Sequence, residues 1–486
     1  MNHLLTTLEI ALRSSIDHLE NLDKQPVAPT ADYTQLRRQL GKPLADQGMA
    51  PEQVVSDLAR DVEGGIMGSG SGRFFCWVIG GALPSAVAAD WLAAAWDQNA
   101  GMYATSPAAA IVEEVAGVWL KDILGLPEQA SFALVTGCQM AHVTCLAAAR
   151  HHLLEQRGWN VEERGLSGSP TIRILASDQR HGSVDRAVRL LGLGTANMEY
   201  LATDSQGRLS PEALAKALEE RPSDPAIVLV QAGEINIGSF DDFPAITEIA
   251  QKHGAWVHVD GAFGLWAAAS PRYQHLMKGA ALCDSWATDG HKWLNVPFDS
   301  GYAFVAHTES HRLAMTYRAP YLTHASETRD QMEWNPEWSR RARGFATYAA
   351  LRELGREGVA ALVDRCCQHA TAIVAGIGKL PGAEVLWSPT INQGLVRFLD
   401  LQNEAPESKD TNSKSHDHFT DEVIAAINKT GEAFFGGTTW RGKRAMRVSV
   451  CNWRTTEEDV ERTIRAAEQV LATMGNRSEA QHAAKT

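Results

Sequence analysis

The residues best suited to chemistry lie in ATDGHKWLNVPFDSGYAFV, where Lys292 follows an apolar run and sits among His291, Trp293 and small or turn-forming residues. A lysine amine attacks a carbonyl when its surroundings lower its pKa and free the lone pair. The plain alternative is a surface lysine laying its stem along Trp293. Asp260 closes the apolar run of WVHVDGAFG, a position that predicts the carboxyl edge of a buried strand, where open α/β sheets bind ligands. A carboxylate held there against a heterocyclic nitrogen keeps that nitrogen protonated and makes the ring an electron acceptor. It could equally cap the following turn. In VTGCQMAHVTCLAAAR a strand passes through a glycine turn into a helix, so the amides of Gly137, Cys138 and Gln139 face outward and suit an anion. Many such turns bind nothing, and Gln139 could be a simple cap. In DQRHGSVDRAVRLLG, His181 precedes a helix that Ser183 would cap, and its ring could stack on a flat ligand or lie on the surface.

These residues need a scaffold that brings strand ends together. From about residue 107 helical and strand patterns alternate: SPAAAIVEEVAGVWLKDIL is a helix and FALV a strand, followed by the runs IRILA, AIVLVQ, WVHVD and DSWAT with helical stretches between them. Buried strands alternating with helices predict an α/β unit with a mostly parallel sheet covered on both faces. Only about a dozen residues link DSWAT to GYAFV, the lower limit for a crossover, so GYAFV is a candidate for an antiparallel strand. Beyond about residue 350 the pattern shifts to a smaller α+β domain. The expected organisation is therefore 1–72 as an amino-terminal helical segment, 73–349 as the large α/β domain and 350–486 as the small domain. The polar stretch LQNEAPESKDTNSKSHDH predicts a surface loop, and the last dozen residues a frayed tail.

Composition bounds the function. With 45 Lys and Arg against 58 Asp and Glu, the net charge of −13 argues against a broad nucleic-acid surface or an anionic membrane. Seven cysteines without a CxxC pair predict reduced thiols and no structural metal site. The amino terminus lacks the pattern of a signal peptide and no apolar run is long enough to span a bilayer, so the expected location is the cytoplasm.

Taken together, SDQRHGSVDRA, AGEINIGSFDDF, HVDGAFG and DGHKWLNVPFDSG, with GRFFCWVIGGALPSAVAADWL upstream and MRVSVCNWRTTEEDV downstream, resemble the pyridoxal 5'-phosphate (PLP) dependent amino-acid decarboxylases. That family contains the aromatic L-amino acid, glutamate and histidine decarboxylases. The resemblance runs from about residue 72 to 470. It implies the aspartate aminotransferase-like fold (fold type I), with Lys292 carrying the cofactor as a Schiff base, Asp260 on the pyridine nitrogen and His181 stacked on the ring. Cys138 and Gln139 fall at the phosphate-loop positions, Asp289 near the phosphate side and His291 at the histidine before the lysine. Asn236 is placed to approach the phenolic oxygen. The resemblance also implies a homodimer packed through the amino-terminal segment, and Phe74, Phe75, Trp77 and Tyr103 match the region lining the substrate entrance, although aromatic clusters are often simple packing.

Two departures stand out. The phosphate loop reads TGCQMAH where relatives carry a Ser- and Gly-rich sequence. Gln331 falls where many relatives carry a loop tyrosine that protonates Cα, leaving His181, Tyr317 or Tyr321 as candidate donors. The expected reaction is decarboxylation of a small-molecule L-amino acid to an amine. Oxidative deamination to an aldehyde, another PLP lyase or aminotransferase reaction, and an inert PLP-binding regulator are the alternatives.

Overall fold

A computed structural model describes residues 2–317, 328–401 and 409–483; Tyr321 lies outside the described residues. The chain divides into two compact units: residues 80–368 with 389–394, and residues 1–79 with 369–388 and 395–486. This grouping follows packing, whereas the segments 1–72, 73–349 and 350–486 follow chain order.

The larger unit is built on a seven-stranded sheet. Its strands are β1 (Ser131–Val135), β2 (Arg173–Ser177), β3 (Met198–Leu201), β4 (Ala226–Gln231), β5 (Trp256–Asp260), β6 (Ser285–Asp289) and β7 (Gly301–Val305), in the order β1-β7-β6-β5-β4-β2-β3. From β6 through β5, β4 and β2 to β3 the strands run parallel to one another. β7 is antiparallel to both β6 and β1, as its short connection allowed. Except for edge strand β3, every residue of these strands is buried, which is why they read as unbroken apolar runs.

Register sets the site. Gly301 on β7 lies opposite both Val135 on β1 and Asp289 on β6. The turn after β1 therefore stands beside the end of β6. Gly301 is required here, because a Cβ would lie 2.3 Å from the Cα of Gly137. From Gly137 the helix Cys138–Glu155 packs back on β5, β6 and β7.

The smaller unit contains a four-stranded sheet in the order β10-β11-β9-β8, formed by β8 (Ala383–Trp387), β9 (Gln393–Phe398), β10 (Gly436–Trp440) and β11 (Lys443–Ser449). The helix Lys409–Thr430 packs on β11, so helix replaces the surface loop expected for much of that polar stretch. Likewise the helix Glu457–Ala483 extends into the segment expected to fray. Phe74 and Phe75 are 1 % and 0 % exposed and stack on Phe434 and Phe435 at 5.4 and 5.3 Å. They are core of this unit, which favours simple packing over the substrate entrance that the resemblance implies. All seven cysteines are buried and none forms a disulfide. No helix among the described residues is long and apolar enough to cross a membrane.

Candidate active site

Asp289 is the hub of the site, with more partners than the place near the phosphate side implied. It ends β6 with its side chain 3 % exposed. Its Oδ1 accepts the Cys138 amide N–H at 2.5 Å, and its Oδ2 lies 3.0 Å from Lys292 Nζ. The carboxylate thus sits at the amino-terminal end of the helix Cys138–Glu155, where exposed amides and the helix dipole favour negative charge. His291 Nε2 is 3.4 Å from Asp289 Oδ1, its Nδ1 accepts the Ser300 amide at 3.2 Å, and its ring stacks on Phe298 at 4.3 Å. Burial lowers the pKa of His291 despite Asp289.

Lys292 is held in a tight turn. The Asn295 amide bonds back to the Lys292 carbonyl at 3.2 Å, and a Cβ on Gly80 would lie 2.0 Å from that same oxygen, so only glycine fits against it. Burial opposes the charge on Lys292, yet the Asp289 carboxylate, with Asp260 beyond it, raises its pKa. This corrects the expectation of a lysine with a lowered pKa: in the chain alone it is an ammonium paired with a carboxylate.

Asp260, 8 % exposed, ends β5 next to β6. Its Oδ1 accepts the Ala262 amide at 3.2 Å and lies 3.9 Å from Cys138 Sγ, while Oδ2 is 3.6 Å from His142 Nε2. Burial alone would raise its pKa, but His142, His181 and Lys292 outweigh that, and the carboxyl is held below its ordinary range. Burial pushes the Cys138 thiol up, so it remains S–H. Cys138, His142 and Asp260 offer donor atoms within 4.8 Å of one another, a set that could also ligate a metal ion.

The structure therefore brings together Lys292, Asp260, Asp289, His291 and Cys138. His181, exposed, caps the helix Gly182–Leu190 by accepting the Ser183 amide at 3.2 Å, the role expected of Ser183. Asn236 donates its side-chain amide to Glu234 at 2.6 Å. Gln331 is 0 % exposed, accepts from Arg329 at 2.9 Å and donates to the Ala110 carbonyl at 3.3 Å. It is a packing residue of a buried turn, which corrects its expected place on a loop at the reacting carbon.

A model of the pyridoxal-dependent decarboxylase conserved domain matches residues 34–399. The chain belongs to this family. It is accordingly a PLP-dependent carboxy-lyase, and its cofactor is PLP. The chain is 28 % identical over 454 residues to an aromatic-L-amino-acid decarboxylase of Bacillus atrophaeus, covering 92 % of this chain and 90 % of that one. It is 24 % identical over 459 residues to a phenylacetaldehyde synthase of Arabidopsis thaliana, covering 91 % of each. The fold matches a crystal structure of Oryza sativa TDC with PLP and tryptamine at a TM-score of 0.89, with 22 % identity and 98 % of both chains covered.

The residues present fit the family's cofactor. A lysine amine and a buried acid stand at adjacent strand ends. Gln139 Nε2, at the phosphate-loop position, is buried without a hydrogen-bond partner. Gly137 leaves space beside it that a Cβ would fill, 3.0 Å from His291 Cε1.

Proposed function

We propose that this chain decarboxylates an L-amino acid with an apolar or aromatic side chain to the corresponding amine. The observation that carries the reading is the pairing of Lys292 with Asp289 beside a second buried carboxylate, Asp260.

Lys292 would hold PLP covalently, Asp260 its ring nitrogen, His181 its face, and the Cys138 and Gln139 region with His291 its phosphate side; Asn236 is assigned to the phenolic oxygen. When bound, PLP supplies an electron-accepting ring that lowers the cost of leaving an electron pair at Cα. Asp260, a buried carboxyl held below its ordinary pKa range, would keep a proton on the ring nitrogen. Asp289, 3.0 Å from Lys292 Nζ, would fix the position of that amine beside the cofactor. Trp266, Trp293, Leu294 and Val296, all buried, keep water from the lysine turn. Phe298, 63 % exposed over His291, offers a flat apolar surface to a substrate side chain.

The similarity to a phenylacetaldehyde synthase supports a second reading, decarboxylation with oxidative deamination to an aldehyde, ammonia and peroxide. Carbon dioxide, amine and peroxide measured from a panel of L-amino acids, in air and under nitrogen, separate the two. Equal carbon dioxide and amine in air without peroxide is the expected result. Peroxide in proportion to carbon dioxide would establish the second reading instead, and no carbon dioxide from any amino acid would reject both.

The helix Asn2–Asn21 exposes Leu4, Leu5, Leu8, Leu12 and Ile16, and we assign this stripe to a second copy of the chain in a homodimer. An active monomer by sedimentation at assay concentration would reject that assignment.

A further inference from the structure

The cofactor reading assigns a role to Asp260 but none to the buried imidazoles behind it. His142 lies one helical turn beyond Cys138 and is 0 % exposed. Its Nδ1 is 2.9 Å from His258 Nε2, and His258 Nδ1 is 2.8 Å from Ser285 Oγ. Ser285 Oγ in turn accepts the Trp256 indole N–H at 2.9 Å. Trp256, His258 and Asp260 alternate along β5 and therefore share one face of the strand. The same face carries an anchor, a relay and an acid, with His142 reaching across from the helix to link the last two.

We propose that His142 is a positioning residue for Asp260, oriented by His258 and Ser285, and that it fixes the carboxylate as an anion aimed at the ring nitrogen of the cofactor. The inference rests on the reading that Asp260 meets that nitrogen.

Hydrogen-bond direction supports it. Indole is a donor only, so Ser285 accepts from Trp256 and its own hydroxyl can donate to His258 Nδ1. His258 then donates through Nε2 to His142 Nδ1, which leaves a proton on His142 Nε2. That N–H faces Cys138 Sγ at 3.4 Å and Asp260 Oδ2 at 3.6 Å. The opposite order would turn an imidazole lone pair towards a carboxylate. The longer contact acts as a dipole on a charge rather than as a full hydrogen bond.

Both imidazoles are neutral at ordinary pH, because burial lowers the pKa of His142 and brings that of His258 to about 3. Asp260 thus meets neutral donors on this side: the Ala262 N–H and Cys138 S–H towards Oδ1, and the His142 N–H towards Oδ2. His181 and Lys292 act on it from the other elements, and Asp289 lies beyond Lys292. Neutral donors orient the carboxylate without cancelling its charge, which remains for a cationic partner. A histidinium there would compete with the pyridinium.

The test uses holoenzyme reconstituted with PLP carrying 15N in the ring, whose chemical shift reports protonation of that nitrogen. In wild type the nitrogen should be protonated through neutral pH. In His142→Leu its titration midpoint should fall by about one unit or more, and kcat by about tenfold to a hundredfold with KM changed less. His142→Gln, which restores an N–H near the Nε2 position, should recover most of both. His258→Phe leaves His142 present but unoriented and should give an intermediate fall, which keeps the proposal testable if His142→Leu does not fold. A protonated wild type with unchanged titration in a folded His142→Leu, or in His258→Phe, overturns the inference alone. An unprotonated ring nitrogen in wild type overturns the reading of Asp260 and this inference with it.

Discussion

Two buried charge clusters of the larger unit differ in what they leave unbalanced. Arg340 and Glu113, each side chain 1 % exposed, form one cation and one anion 2.7 Å apart. The guanidinium also donates to the Ala100 and Leu134 carbonyls, tying three segments together. In the Lys292 cluster two carboxylates, Asp260 and Asp289, face one ammonium, and the adjoining groups His142, His291 and Cys138 are neutral. A balanced pair with backbone partners reads as a staple. A cluster with an excess anion, an amine at its edge and an orphaned amide nearby is built to take a partner carrying positive charge, which a protonated pyridine supplies.

Breaking each cluster should therefore produce different losses. Lys292→Ala should reduce turnover by about a thousandfold or more, because among the described residues no other lysine amine is paired with Asp289. Assaying carbon dioxide release on protein matched for folded content checks this; appreciable turnover would sink the role of Lys292. Asp260→Asn keeps the shape and removes the charge, and should lower kcat by about 100- to 1,000-fold, the kinetic equivalent of losing a buried charge partner. Near-wild-type rates would show that the excess anion has no catalytic use.

The staple should fail the other way. Glu113→Gln removes the nearer of two carboxylates from Arg340, leaving only Glu337 at 3.9 Å, and should cost about 3 kcal/mol in denaturant unfolding, with kcat per folded molecule unchanged. Arg340→Met with Glu113→Leu should recover much of that loss. A fall in kcat at full folding would blur the distinction between the clusters. The smallest effect is expected at Gln331. Tyrosine there must enter a fully buried site, at a cost of about 1–3 kcal/mol, and the ratio of amine to aldehyde should not move. A shift towards amine would return that residue to the reacting carbon.

Much of this was legible in the sequence because buried parallel strands are written as apolar runs: WVHVD and GYAFV coincide with β5 and β7. Lys292 and Asp260 could be singled out because each ends or follows such a run. β3, MEYL at a half-exposed edge, has no such signature and does not read as a strand in the sequence. The polar KDTNSKSHDH resembles a loop until its helix is seen packing on β11 through its later residues. For Phe74 and Phe75 packing is the favoured reading, but side-chain type alone cannot say whether a ring faces substrate or another ring. The pairing of His142 with His258 had a faint signal, one residue a turn past Cys138 and the other two before Asp260. Nothing in the sequence says that this helix face meets that strand face; tertiary packing decides it.

The central claim is that Lys292 is the amine that joins the cofactor, and it is tested most directly by reducing PLP-loaded protein with borohydride and mapping the modified peptide. Hydride addition to the carbon–nitrogen double bond leaves a stable secondary amine on whichever lysine formed it. The account predicts one phosphopyridoxyl group per chain, on Lys292 within DGHKWLNVPF. Modification of another lysine in its place, with Lys292 unmodified, would contradict it.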